Sequence, residues 1–316
     1  MKKFKIIHTT DTHIGDNQGT SRNTIVDYWK KTFNWIVDNK EEENIVAVVH
    51  TGDVVDLGYE EPEFQTAEPA MDILYDSDLP VIYAMGNHDY DDDNDTDWSS
   101  SRNASNANNY FGLDKVDHKP SFGGARNDSI ENAYYTIQVG FLKILFMAME
   151  YRPRPEIAQW WKDVHDAHSD HIGIVCTHEF NDGGRIGGYR DSARVTMKEF
   201  IKKMPNVREI WCGHCLSNGR HPITTHSNGN HWSWFTEWPN KWVNALFFNF
   251  QAASHQNNYE PYHGDGHRGF GRVRIMEFNT HTNEVSVSNY TDYDSGYPKT
   301  VKDNRHLYTY KTALRI

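Results

Sequence analysis

The stretch VAVVHTGDVVD, residues 46–56, decides the fold. Residues 46–51 are a short β-branched run of strand length, and the run stops on Gly52 with the carboxylates of Asp53 and Asp56 just beyond. Open α/β sheets keep their sites at the carboxyl ends of their strands, and such a run fits one of those strands. Working outward, residues 5–10 form a matching run that ends in Asp11-Thr12-His13, and residues 81–85 another that ends in Gly86-Asn87-His88-Asp89. Residues 24–39 place Ile25, Tyr28, Trp29, Phe33, Ile36 and Val37 at helical spacing, and residues 64–75 form a second helix with Pro62 near its start. Strand and helix alternate as in crossover units.

Further along, residues 133–139, 143–148, 171–177 and 207–212 are strand-like, with a helix over 156–168 after Pro155. Two of these runs lead into His178 and into Gly213-His214, so five strands stop at potential metal ligands. Residues 245–252, 271–278 and 284–289 read as a later antiparallel set. The expected organisation is one domain over residues 1–290, with insertion loops at 90–130 and 217–243 and a polar, tyrosine-rich extension at 291–316. Within the first loop Asp91, Asp93, Asp95 and Asp97 alternate as in a calcium loop. Thr96 stands where that loop needs glycine and Arg102 where it needs glutamate, so a solvated acidic loop is expected.

The chain has 316 residues, 44 acidic and 32 basic, for a net charge of -12. That balance opposes a broad nucleic-acid surface or attachment to an anionic membrane, while a local field still admits a small anionic substrate. No apolar run approaches the roughly 20 residues of a membrane span. Cys176, Cys212 and Cys215 are too few for a disulfide framework, and the first three residues lead straight into a strand, so a cytoplasmic location is expected. The 18 histidines point toward metal or acid/base chemistry. Carboxylate, imidazole and amide donors together suit Mn, Fe, Zn or similar ions better than Mg or Ca alone.

In order and spacing, Asp11-Thr12-His13, Gly52-Asp53-Val54-Val55-Asp56, Gly86-Asn87-His88-Asp89, the single His178 and Gly213-His214 resemble the motifs of the calcineurin-like metallophosphoesterase superfamily. The likeness to its bacterial members spans roughly residues 4–290. It implies an α/β fold, a two-sheet sandwich of mixed sheets flanked by helices, and a phosphodiesterase or phosphomonoesterase acting on a small phosphorylated substrate. Two divalent or trivalent metal ions are implied as cofactors. By the resemblance Asp11 and His13 hold one, Asn87, His178 and His214 hold the other, and Asp53 bridges both. A metal-activated hydroxide is then the nucleophile and His88 the acid that protonates the leaving alkoxide. Asp89 is expected to orient His88, and Asp56 to support the ligands from behind.

One position departs from the pattern. Where the family has G-H-x-H, this chain has Gly213-His214-Cys215-Leu216, and leucine has no donor atom. The ion at Asp11 and His13 is therefore expected to be weakly held, completed by water, or completed by His221, His226 or another loop.

Several residues admit two readings. The string Trp211-Cys212-Gly213-His214-Cys215 matches a disulfide-exchange site, but that chemistry needs a helix directly afterwards and residues 216–222 make a poor helix start. His8 reads as a structural histidine. Arg152, Arg154, Arg185, Arg190 and Arg194 either clamp a substrate phosphate or offset the acidic surface. Trp232, Trp234, Phe235, Trp238 and Trp242 either stack on a base or sugar, anchor their loop, or meet another subunit. Two function classes stay open: a phosphoric ester hydrolase, favoured by the retention of His88, and a phospholigand-binding or structural protein with a degraded site, favoured by Leu216. Monoester or diester, the identity of the metals and the oligomeric state stay open as well.

Overall fold

The computed structural model describes residues 3–14, 22–91, 102–182, 185–186, 199–214, 231–234, 243–247, 249, 271–292, 300 and 307–314. In chain order its strands are β1 (Lys3–Thr9), β2 (Ile45–His50), β3 (Val81–Tyr83), β4 (Phe122–Ala125), β5 (Ala133–Val139), β6 (Leu142–Ala148), β7 (Ile172–Cys176), β8 (Asn181–Asp182), β9 (Arg185–Ile186), β10 (Val207–Cys212), β11 (His231–Trp234), β12 (Val243–Phe247), β13 (Val273–Asn279), β14 (Glu284–Tyr290) and β15 (Tyr308–Lys311). Six make one sheet, in the order β15-β14-β13-β1-β2-β3, and seven make a second, in the order β11-β12-β10-β7-β6-β5-β4. Strands β8 and β9 form a separate hairpin.

Both sheets are mixed. β1 runs parallel to β2 and β2 to β3, while β13, β14 and β15 add antiparallel strands on the far side of β1. Helices α1 (Arg22–Asn39) and α2 (Glu61–Tyr75) make the crossovers between the parallel strands. α1 buries Ile25, Trp29, Phe33 and Ile36, the stripe its sequence spacing predicts. α2 starts with Pro62 in its first turn, where the missing amide costs nothing, and buries Phe64, Ala67, Met71 and Leu74. In the second sheet, β6 alternates with period two. Ile144, Phe146 and Ala148 join the large core shared by both sheets, α1 and α2, whereas Leu145 and Met147 join a smaller core with Trp161 of helix α4 (Ala158–Ala167).

Side chains between the sheets fix their relation. His8 of β1 stacks on Trp211 of β10, ring centroids 5.2 Å apart, and Trp211 also meets Phe278 of β13. Glu209 of β10 accepts hydrogen bonds from Asn244 and from Tyr310, each 3.0 Å, and from Thr312. Burial pushes the Glu209 carboxyl up to about 7.

Four expectations change. Residues 90–130 are no plain loop: the described part contains α3 (Ser105–Phe111), whose Phe111 packs on Phe64, and edge strand β4. The alternating aspartates fall, beyond Asp91, outside the described residues. The described part of the expected strand over 245–252 does not belong with the later antiparallel set, because β12 pairs parallel with β10 in the other sheet, Cys212 lying opposite Phe247. In the expected C-terminal extension, β15 completes an edge of the first sheet. The expected loop over 217–243 also contains β11, which pairs antiparallel with β12.

His8 is structural, as its sequence position suggests: it is fully buried with Nε2 3.0 Å from the Thr51 hydroxyl. Burial first, then the charge of Arg274, holds it well below the usual histidine range. The unfolded chain therefore takes up a proton near pH 6.5 that the folded chain refuses, and stability falls as pH drops below that value. The linkage amounts to about 1.4 kcal/mol per pH unit for one such group. Urea titrations between pH 7.5 and 5.5 should show a shallower loss in His8→Gln than in the wild type; parallel slopes would assign the loss elsewhere. Among the described residues no helix is long and apolar enough to cross a membrane.

Candidate active site

The loops that follow β1, β2, β3, β7 and β10 converge at one end of the two sheets. Asp53 is at the centre. Its Oδ2 lies 2.9 Å from His178 Nε2 and 3.8 Å from His13 Nε2, and its Oδ1 accepts the backbone amide of His88 at 3.0 Å. Two groups of potential ligands overlap on this carboxylate: Asp11, His13 and Asp53, and Asp53, His178 and His214. Within each, one donor atom per residue lies within 4.8 Å of the others. Asn87 opens the short turn Asn87–Asp89 that also carries His88.

The backbone is bent to achieve this. Asp11, His13, Asp53 and His214 all take left-handed conformations, with φ of 50°, 43°, 56° and 65°. Residues other than glycine rarely adopt them, and they cluster where surrounding structure imposes them for function. Close approach explains two glycines. A Cβ on Gly86 would collide with the Asp53 carboxylate, and one on Gly213 with Thr10 and the Asp11 carboxylate.

Hydrogen bonds select the nitrogens that face the centre. The Thr51 carbonyl, 2.7 Å from His178 Nδ1, can only accept, so Nδ1 carries a proton and Nε2 is the nitrogen that faces Asp53. Asp56 forms an ion pair with His13, its Oδ1 2.9 Å from Nδ1. Asp56 itself is set by Glu63, whose Oε2 accepts the amides of Asp56 and Leu57 at 2.8 and 2.9 Å. Below the site His50 pins two loops: its Nδ1 accepts from Gly52 N, so its Nε2–H donates to Thr12 Oγ1 at 3.1 Å. Burial drives His50 down to about 3, so it stays neutral.

Charge in the cluster is strained. Burial raises the Asp11 carboxyl to about 6. His178 resists burial and, beside Asp53 and Asp11, rises to about 9. Asp53 likewise overcomes burial through His178, His88 and His13 and sits well below the usual carboxylate range. Bound cations perform this neutralisation while leaving imidazoles neutral and carboxylates ionised, and the buried oxygen and nitrogen donors present are those that divalent ions take.

Asp89 does not do what its position beside His88 suggests. Its buried carboxylate accepts the amides of Asp53, Val54 and Gly86 at 2.8 Å and of Val55 at 3.3 Å, clamping the loop after β2 to the loop after β3. Leaving such amides bare costs about 1–3 kcal/mol each. His88 is oriented instead by the Asp56 carbonyl, 2.6 Å from its Nδ1, and its ring meets His13 edge to face at 5.1 Å.

The rim carries an unforeseen chain. The Tyr151 ring lies 5.9 Å from that of His178 and 5.5 Å from that of His214, with the Arg152 guanidinium over it at 4.9 Å. Arg152 Nε donates to Glu179 Oε2 at 2.7 Å, and Glu179 Oε1 is 4.0 Å from His214 Nε2. Arg154, by contrast, is bound to buried Glu150 at 2.6 Å and 2.8 Å. Arg185 lies in β9 and Trp232 and Trp234 in β11. Arg190, Arg194, His221, His226 and Leu216 lie outside the described residues. Cys212 is buried in β10 with Sγ 3.4 Å from the Leu246 carbonyl oxygen, which removes the helix-borne thiol of a disulfide-exchange site. Asn249, unremarked in the sequence, donates from Nδ2 to Asp11 Oδ1 at 2.8 Å. Its signal in the sequence is a polar residue just after an apolar run; the expected strand over 245–252 passes through it, whereas β12 ends at Phe247.

An uncharacterized protein of Bacillus subtilis, YvnB, is 26% identical over 264 residues, which cover 83% of this chain and 18% of that protein. The chain thus spans about a fifth of the length of this relative. Among solved structures, a dimetal phosphatase from Danio rerio is similar with 10% identity and a TM-score of 0.49, covering 92% of this chain and 97% of the other. A 5'-nucleotidase from Candida albicans is similar with 12% identity and a TM-score of 0.48, covering 92% and 52%. The description of the calcineurin-like phosphoesterases matches residues 4–216, from the start of β1 to just past His214, and the chain belongs to that family.

Proposed function

We propose that the chain is a metal-dependent hydrolase of phosphoric esters, acting on a small phosphorylated substrate as a phosphomonoesterase or phosphodiesterase. The observation that carries this reading is the Asp53 carboxylate, shared by two ligand groups with the His88 ring at their edge. In this reading Asp11 and His13 hold one cation, Asn87, His178 and His214 hold a second, and Asp53 contacts both. Bound there, the pair supplies Lewis-acid polarisation of the phosphoryl group and lowers the pKa of the attacking water.

The chain's own residues do the rest. The Thr51 carbonyl keeps His178 oriented with Nε2 toward the centre, and the Asp56 carboxylate stands beside His13 Nδ1. The Asp56 carbonyl accepts from His88 Nδ1–H, so Nε2 is the nitrogen from which His88 protonates the leaving alkoxide. Asp89 holds the two loops that carry Asp53 and His88 at fixed separation. Arg152, steadied by Glu179 and Tyr151 beside His214, meets the substrate's negative charge. Arg185, Arg190, Trp232 and Trp234 are further candidates for substrate contact on sequence grounds.

The test uses the purified protein loaded with Mn, with an aryl phosphate and a bis-aryl phosphate as substrates. Turnover of either that stops on chelation and returns with Mn supports the hydrolase. A protein that holds its metals, turns over neither, and binds phosphate would instead be the ligand-binding relative with a degraded site.

A further inference from the structure

The ends of two neighbouring parallel strands grip one carboxylate. β10 and β12 are paired with Cys212 opposite Phe247, and two residues beyond that pair stand His214 and Asn249. His214 donates its backbone amide to Asp11 Oδ2 at 3.1 Å, an oxygen that also accepts Thr10 Oγ1 at 2.7 Å. Asn249 takes the other oxygen, with Nδ2 2.8 Å from Asp11 Oδ1. The Asn249 carboxamide therefore stands against Asp11 Oδ1, on a carboxylate that belongs to the ligand group of Asp11, His13 and Asp53.

From this juxtaposition we propose that Asn249 is itself a ligand of the cation held by Asp11 and His13, its carboxamide oxygen filling the position for which Gly213-His214-Cys215-Leu216 offers no imidazole. The inference rests on the dimetal reading above. Three physical points carry it. A carboxamide oxygen is a neutral, fairly hard donor of the kind Asn87 presents on the other side, and it suits the same divalent ions. The terminal torsion of asparagine is broad and roughly two-fold, so exchanging the nitrogen and oxygen of the amide needs no movement of the backbone. Finally, two oxygen donors at about 2.1 Å from one cation, set at right angles, lie about 3 Å apart. The amide end of Asn249 stands at such a separation from Asp11 Oδ1 already.

The alternative is that Asn249 only donates a hydrogen bond to Asp11, and the two roles make opposite demands on a substitution. The experiment compares wild type, Asn249→Ala and Asn249→Asp, each stripped with chelator, reloaded with Co(II), and followed by bound metal per chain and by the visible absorption of the bound ion. The wild type should hold two ions. Asn249→Ala should keep one and bind the other about 10- to 100-fold more weakly, the range typical of losing a group that supports a metal site. Retention of one ion also shows that the variant is folded. Asn249→Asp keeps an oxygen and adds a charge, so it should hold two ions at least as firmly as the wild type.

If Asn249→Asp loses the ion as Asn249→Ala does, Asn249 is a hydrogen-bond donor and the proposal is overturned. If Asn249→Ala keeps both ions at wild-type affinity, it is overturned in favour of His221, His226 or another residue outside the motifs. A folded wild type that binds neither ion removes the dimetal reading itself, and the proposal with it.

Discussion

Asp53→Asn should lose both cations and at least about a thousandfold in turnover. The carboxylate sits where two ligand groups overlap, 2.9 Å from His178 and 3.8 Å from His13, and one charge there offsets two cations. An amide of the same shape supplies one oxygen and no charge. It also places an NH2 group either against the His88 amide, which now donates to Oδ1, or against the nitrogens that face Oδ2. Lewis-acid stabilisation is worth several kcal/mol at the transition state, and each 1.4 kcal/mol or so is tenfold in rate, which sets the size of the loss. Metal analysis of the purified variant beside its kcat checks both halves. Wild-type metal content with wild-type rate would end the dinuclear assignment.

His88→Ala should behave in the opposite way, keeping its metals while losing rate selectively. Its backbone amide, the part that touches Asp53, survives the substitution; only the ring held by the Asp56 carbonyl is removed. A proton matters to a leaving group in proportion to its basicity. Alkyl phosphates should slow by about 100- to 10,000-fold, the usual worth of general acid catalysis, and nitrophenyl phosphates far less. Plotting rate against leaving-group pKa should give a steeper dependence in the variant. Parallel lines would mean that His88 serves some other purpose, such as binding the phosphoryl group.

The placement of the candidate centre follows from where its donors stand in the sequence. Asp11, His13, Asp53, Asn87, His178 and His214 each follow an apolar run; four of them, Asp11, His13, Asp53 and His214, take left-handed conformations, and close approach to Asp53 and Asp11 accounts for Gly86 and Gly213. What escaped the sequence was set by distant partners. Asp89 adjoins His88, which suggested a pair, yet the turn Asn87–Asp89 aims its carboxylate at amides more than thirty residues away in the chain. Glu63 reads as one of the acids in the first turn of a helix, and only the fold shows it capping the Asp56 loop. α3 hid within an Asn- and Ser-rich stretch because only Ala107 and Phe111 are fully buried there. Strand direction was the hardest to infer: nothing in residues 243–247 distinguishes a parallel from an antiparallel partner, and on that direction depends the arrival of Asn249 beside Asp11.

The parallel pairing of β10 with β12 also governs how the chain between them is anchored. It leaves the scaffold after His214, at the catalytic end. It rejoins at His231 of β11, which lies opposite Leu246, again near that end, and only then does β11 run down to Trp234 opposite Val243. Whatever path residues 215–230 take, both of their attachment points are fixed on framework strands at the mouth of the site. The mount is permanent: the register of β10, β12 and β11 is set by strand residues on either side of the segment and not by the segment itself.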